Sequence, residues 1–249
     1  MYAQIFYQAA LEGIGYYFSS GDSGDGSSDN DGTPTVQSPA NSPLVTAVGG
    51  TALAVSKTNG RVFETGWSTG KALLTSEGWT PHAPGAYQYG GGGGTSRVFK
   101  QPGYQQGVVP AAIAQRYAKA GGRALPDVAA LGDPNTGMLV GETQTFPDGT
   151  AKYSEYRIGG TSLASPLFAG VMAIADQVAG FSHGFANPAL YQARRHLGRA
   201  RHHARRPQGG RAGRLRQRRR RDRRHDHLAA LARRPGSARR SAPARATTT

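Results

Sequence analysis

The chain of 249 residues contains no cysteine, so it has neither disulfides nor a thiolate metal site. Histidine is missing from the first 81 residues, His82 being the first. Acidic residues are scarce at the start, where Glu12 is the only one before Asp22. No apolar run approaches the ~18 residues of a membrane span, and no signal peptide is recognisable at Met1. The opening residues 1–13 read as a helix from within a domain, so the chain is expected to begin inside one rather than at its natural start.

Lysine is absent from residues 191–249, yet that segment holds 20 arginines against 2 acids, a net charge of +18. Residues 1–190 hold 10 basic and 13 acidic side chains, a net charge of −3, so the overall +15 belongs entirely to the tail. Arginine without lysine, set among Ala, Gly, Pro and His, is what GC-rich codons yield in a shifted reading frame, and that reading is favoured. The alternatives are a disordered solvated segment and a nucleic-acid arm in which runs such as Arg218-Arg219-Arg220-Arg221 track phosphates. Two pieces are therefore expected, a folded domain over 1–190 and an Arg-rich tail over 191–249.

The first piece is long enough for one core. Its patterning predicts a helix over Gln4–Glu12 stopped by Gly13, and a buried strand over Ile14–Ser20. A polar loop follows over Gly21–Pro43. Further strands are expected at Leu44–Val48, Ala52–Val55, Arg61–Trp67, Pro126–Leu131 and Met138–Val140. Residues 68–107 read as loop, with Gly90–Gly94 as flexible surface, and Val109–Ala120 as a short helix. Leu163–Ala179 is the one long helix, nearly apolar all round and so expected to be buried. Strands alternating with helices favour a largely parallel sheet covered on both faces.

The stretch Gly159-Gly160-Thr161-Ser162-Leu163-Ala164-Ser165-Pro166 sets a hydroxyl on a tight glycine turn where that helix begins. Ser162 there is presented clear of its neighbours, beside a helix N-terminus that favours developing negative charge, as a nucleophile requires. An ordinary N-cap is the plainer alternative. Gly21-Asp22-Ser23-Gly24 does not make Ser23 a trypsin-like nucleophile, since no histidine precedes it. Asp25, Asp29 and Asp31 fail the EF-hand spacing, with Thr33 where a ligand is needed and no closing Glu. The glycine run 90–94 is followed by no Gly-Lys-Ser/Thr and is no P-loop.

Ser20-Gly21-Asp22-Ser23-Gly24 and Gly160-Thr161-Ser162-Leu163-Ala164-Ser165-Pro166, read together, resemble the sedolisins, the serine-carboxyl peptidases of family S53. The segments Ser42-Pro43-Leu44-Val45-Thr46-Ala47-Val48-Gly49-Gly50-Thr51 and Pro126-Asp127-Val128-Ala129-Ala130 support the likeness, which spans about residues 3–191. The related subtilisins share Gly-Thr-Ser-x-x-x-Pro, but they use an upstream His and an Asn where this chain has Asp22. The resemblance implies a subtilisin-like α/β fold and a serine-type endopeptidase working at acidic pH through an acyl-enzyme. Ser162 would be the nucleophile, and Asp22 with the Ser162 backbone N–H would form the oxyanion hole. Asp22 donates a hydrogen bond only while protonated. Trp79, Tyr87 and Phe99 are candidates for the substrate cleft, while Asp127 and Asp133 read as structural residues capping turns.

Two family features find no match. The Glu of the Glu/Asp base dyad is not Glu12, which has Tyr16 at i+4 where an acid is required. The calcium expected for the family has no site here, because Asp222 and Asp226 sit among arginines. The expectation is thus a sheet incomplete on its N-terminal side, a disordered tail, and a chain inactive alone. Its partner would be a polypeptide substrate, with no membrane, as an extracytoplasmic monomer. A nucleic-acid-binding protein acting through the tail is the alternative.

Overall fold

In the computed structural model, which describes residues 2–194, helix α1 (Tyr2–Leu11) leads into a short strand β1 (Tyr17–Ser19). The long strand β2 (Thr46–Val55) lies beside β1 in parallel, with Tyr17, Phe18 and Ser19 opposite Thr46, Ala47 and Val48. Its first half, Thr46–Gly50, is wholly buried; its second half leaves the core and pairs antiparallel with β3 (Arg61–Gly66).

Residues 68–107 are not loop but a chain of short strands. They comprise β4 (Ser68–Lys71), β5 (Leu73–Thr75), β6 (Gly78–Thr80), β7 (Ala86–Gly90) and β8 (Gly94–Lys100). β4 pairs with β7 and β5 with β6, both antiparallel. These strands are short and exposed, so they carry no alternation of buried and exposed positions for a sequence reading to detect. Helix α2 is a single turn (Ala111–Ala114), shorter than the expected 109–120. β9 (Gly122–Leu125), fully buried, pairs with β8, and β10 (Val128–Leu131) completes the parallel core on the far side of β2. β11 (Met138–Thr145) and β12 (Ala151–Ile158) form a long antiparallel hairpin that delivers the chain to helix α3 (Thr161–Ala179).

Alternation along β1 fixes the two faces of the sheet. Phe18 turns toward α1, where Phe6 meets it edge-on at 5.6 Å, and packs with Val36 on Ala40, Ala47 and Leu125. Tyr17 turns toward α3, where Phe168 meets it at 5.7 Å and the Ser165 hydroxyl donates to its carbonyl at 2.9 Å. α3 is nonetheless not buried all round. Only Thr161, Ala164, Ser165 and Met172 are buried, and Val171, Ile174 and Val178 face outward. With 19 residues it is also long and apolar enough to cross a membrane by length and composition, contrary to the sequence expectation.

The core is pinned by a buried ion pair. The guanidinium of Arg123, with no exposed surface, uses all five of its N–H donors. Nε donates to the Ser42 carbonyl, Nη1 to the Ala124 carbonyl and Asp127 Oδ1 (2.8 Å), and Nη2 to the Val45 carbonyl and Asp127 Oδ2 (2.5 Å). The Asp127 carboxylate also accepts from the Ala47 N–H, Gln105 and the Tyr191 hydroxyl. Burial holds the Tyr104 phenol up at about 12 and raises that of Tyr191 as well, so both stay neutral. Asp127 thus centres a network, where the sequence suggested a turn cap; Asp133 does cap its turn, accepting from the Asn135 N–H.

Tyr191, within a helical segment 187–194, is 8% exposed and belongs to this packing, so the folded domain extends past residue 190. The readings of the Arg-rich tail, with Asp222 and Asp226, concern positions beyond 194 and lie outside the described residues.

Removing one partner of a buried pair strands the other's charge, which costs about 3–5 kcal/mol. Arg123→Met should therefore lower unfolding free energy by about that amount in urea titration. At the C-terminal end of α3, Asp176 accepts from both the His183 ring and its N–H, which holds its carboxyl below the usual aspartate range. A depressed folded-state pKa gives stability that is present above the unfolded value and lost as pH falls through the folded one. Asp176→Asn should flatten the loss of stability between about pH 5 and pH 2, measured as the urea midpoint against pH.

Candidate active site

The two loops singled out in the sequence, 139 residues apart, meet in the structure. β1 ends at Ser19, and its C-terminal loop carries Asp22 to the N-terminus of α3. There Asp22 Oδ1 accepts from the Thr161 N–H at 2.7 Å and from the Thr161 hydroxyl at 2.8 Å. The Thr161 oxygen in turn accepts from the Gly21 N–H at 3.1 Å. A carboxylate at this point satisfies donors that the helix itself leaves open and complements its positive end.

Gly160 makes the turn into the helix with φ +97°, a conformation that glycine adopts without strain. Its N–H donates to the Gly132 carbonyl at 2.6 Å, which anchors the turn to the end of β10. Ser162 follows on the exposed side of the first turn, whereas Thr161 before it is buried. Neither the Ser162 hydroxyl nor its N–H has a hydrogen-bond partner among the described residues. A free hydroxyl and a free N–H on one residue, with a carboxyl bound one residue before it, are the parts of a nucleophile and an oxyanion hole.

The glycine run proves to be the scaffold of the Asp22 loop rather than a flexible surface. Gly90 N–H donates to the Asp22 carbonyl at 2.8 Å, Gly92 N–H to the Gly21 carbonyl at 2.6 Å, and Gly93 N–H to the Gly24 carbonyl at 3.0 Å. The Ser20 hydroxyl donates to the Gly92 carbonyl. A Cβ on Gly92 would run into the carbonyls of Ser20 and Gly21, and one on Gly91 would press on Gly50. Side chains are excluded because this segment runs backbone to backbone between the Ser20–Gly24 loop and Gly50 of β2. A glycine run flanked by Tyr89 and Thr95 was the available signal, and it was read as looseness instead of close approach.

Of the cleft candidates, Tyr87 is the one placed at this loop, with its hydroxyl against Gly24 and Gly90. Burial, with Asp25, Asp29 and Asp22 nearby, raises its phenol. Trp79 is exposed on β6, and Phe99 is half-buried on β8. Glu12 is exposed and receives a hydrogen bond from Gln8. Among the described residues no group of three or more His, Asp or Glu side chains lies together.

A family model described as the subtilase family, peptidase S8, matches residues 1–193. Kumamolisin of Bacillus sp. (strain MN-32) is 37% identical over 195 residues, which cover 76% of this chain and 30% of kumamolisin. Tripeptidyl-peptidase 1 of Homo sapiens is 34% identical over 200 residues, covering 74% of this chain and 29% of that protein. Sedolisin of Pseudomonas sp. (strain 101) is 34% identical over 200 residues, covering 76% and 28%. The chain therefore spans about 30% of the length of the curated relatives it matches. Among solved structures, Pseudomonas sedolisin, a serine-carboxyl proteinase complexed with two molecules of pseudo-iodotyrostatin, is similar with a TM-score of 0.55 and 33% identity. That likeness covers 76% of this chain and 45% of the sedolisin chain. The chain belongs to the subtilase family and is similar to sedolisin.

Proposed function

We propose that this chain carries the serine half of a serine-type endopeptidase site. The observation that bears the most weight is the convergence of Asp22 on the turn that presents Ser162. Ser162 Oγ attacks the peptide carbonyl carbon, and the amine leaves as the acyl-enzyme forms. Negative charge collects on the former carbonyl oxygen, where the unpartnered Ser162 N–H and a neutral Asp22 carboxyl donate to it. A carboxyl that must be neutral to donate suits an acidic working pH. Acidic, extracytoplasmic work on polypeptides follows from the likeness to the sedolisins.

The Ser162 proton needs an acceptor, and among the described residues no carboxylate is hydrogen-bonded to the Ser162 hydroxyl. Glu12 is exposed just past the end of α1 and is held by Gln8. Loss of one member of a catalytic triad costs about 10⁴-fold or more in rate, so the chain alone should hardly turn over.

Labelling with an active-site fluorophosphonate at acidic pH tests both parts. Ser162 should label slowly, acetate supplied as an external base should accelerate labelling saturably, and Ser162→Ala should abolish it. Stoichiometric labelling with casein turnover and no added base would overturn the inactivity of the chain. Failure of acetate to bring label onto Ser162 would overturn the peptidase reading itself.

A further inference from the structure

Thr161 is buried, 1% exposed, and its hydroxyl has two neighbours. Its oxygen accepts from the Gly21 N–H, and it lies 2.8 Å from Asp22 Oδ1. The hydroxyl hydrogen has no other acceptor among the described residues, so in a dry site it must go to Oδ1. The Thr161 N–H points at the same oxygen from 2.7 Å. Oδ1 thus receives two donors, while no hydrogen bond falls on Oδ2 among the described residues.

A neutral carboxyl has one oxygen that carries the hydrogen and one that only accepts. A hydrogen on Oδ1 would confront the Thr161 N–H directly. If it turned toward the threonine oxygen instead, the threonine hydrogen would be left buried and unpaired. We infer that Thr161 is a positioning residue that fixes the hydrogen of neutral Asp22 on Oδ2, so that the carboxyl is held in the orientation of a donor before substrate arrives. Gly160 keeps that side open: a Cβ there would stand 3.0 Å from Oδ2. The arrangement converts a carboxyl with two equivalent oxygens into one with assigned roles, which is the preorganisation that an oxyanion donor needs. The inference rests on the reading of Asp22 as that donor, and it adds which oxygen donates and what decides it.

Isotope-edited infrared spectroscopy of the full chain tests it, with the aspartate side-chain carboxyls labelled with carbon-13 and the pH lowered stepwise from neutral. The C=O band of neutral Asp22 is identified as the one lost in Asp22→Asn. It should lie at the low frequency of a doubly hydrogen-bonded carbonyl, move up in Thr161→Val, and return in Thr161→Ser, which keeps the hydroxyl. A merely structural threonine would leave the band in place. If the valine variant does not fold, the wild-type band decides. A position at that of an N-acetyl-aspartic acid amide in apolar solvent, where the carbonyl is unbonded, overturns the inference. So does the absence of any Asp22 band down to the pH of unfolding. Acetate-assisted fluorophosphonate labelling of Ser162 reports separately on the peptidase reading. Labelling with an unbonded carbonyl sinks only the proton placement, and a doubly bonded carbonyl without labelling sinks only the peptidase reading.

Discussion

Three hydrogen bonds between the Gly21–Asp22 segment and Thr161 hold this molecule's chemistry together. They join the end of the first parallel strand to the start of the long helix. β1 contributes only three residues to the sheet, and its loop must turn away at once. The first turn of α3 has N–H groups that no helical carbonyl can reach. Asp22 satisfies one of them and leaves the next, at Ser162, without a partner. Chemistry and architecture are the same contact seen from two sides, because a carboxyl that caps the helix is thereby brought one residue from the exposed serine.

That contact depends on registers set deeper in the domain. The Arg123–Asp127 pair ties Ser42, Val45 and Ala47 at the start of β2 to the lead-in of β10. Once β10 is in register with β2, Gly132 is fixed at its end, and the Gly132 carbonyl takes the Gly160 N–H. The line from a buried guanidinium to the serine therefore runs through backbone, with no flexible side chain in between. A buried pair gains little over an apolar replacement in free energy. Its value here lies in geometry, since five directed N–H donors hold the segment 42–45 in one arrangement against the segment 124–127.

The sequence was most legible where a motif requires backbone chemistry that only particular residues supply. Gly159-Gly160 before Thr161-Ser162 demanded a turn into a helix, and Ser20-Gly21-Asp22 demanded a loop after a strand; both are present. The parallel core was legible from the apolar runs at Ile14–Ser20, Leu44–Val48 and Pro126–Leu131. Residues 68–107 read as loop in the sequence because β4 to β8 are short and mostly exposed, so no face alternates. β12 was missed for the same reason, seven of its eight residues being exposed. Thr161 escaped notice because its role depends on a partner 139 positions away, and nothing local distinguishes it from a helix cap. The apolar surface of α3 misled in the opposite direction, since composition records what a face prefers and not what lies against it.

The proposed site requires Ser162 and Asp22 to act on one carbonyl group. A crystal structure of the chain soaked with a peptide aldehyde addresses it most directly. A covalent bond from Ser162 Oγ to the aldehyde carbon is expected, with the resulting oxygen within hydrogen-bonding distance of Asp22 Oδ2 and the Ser162 N–H. An aldehyde bound elsewhere, or one joined to Ser162 with its oxygen turned away from Asp22, would contradict it.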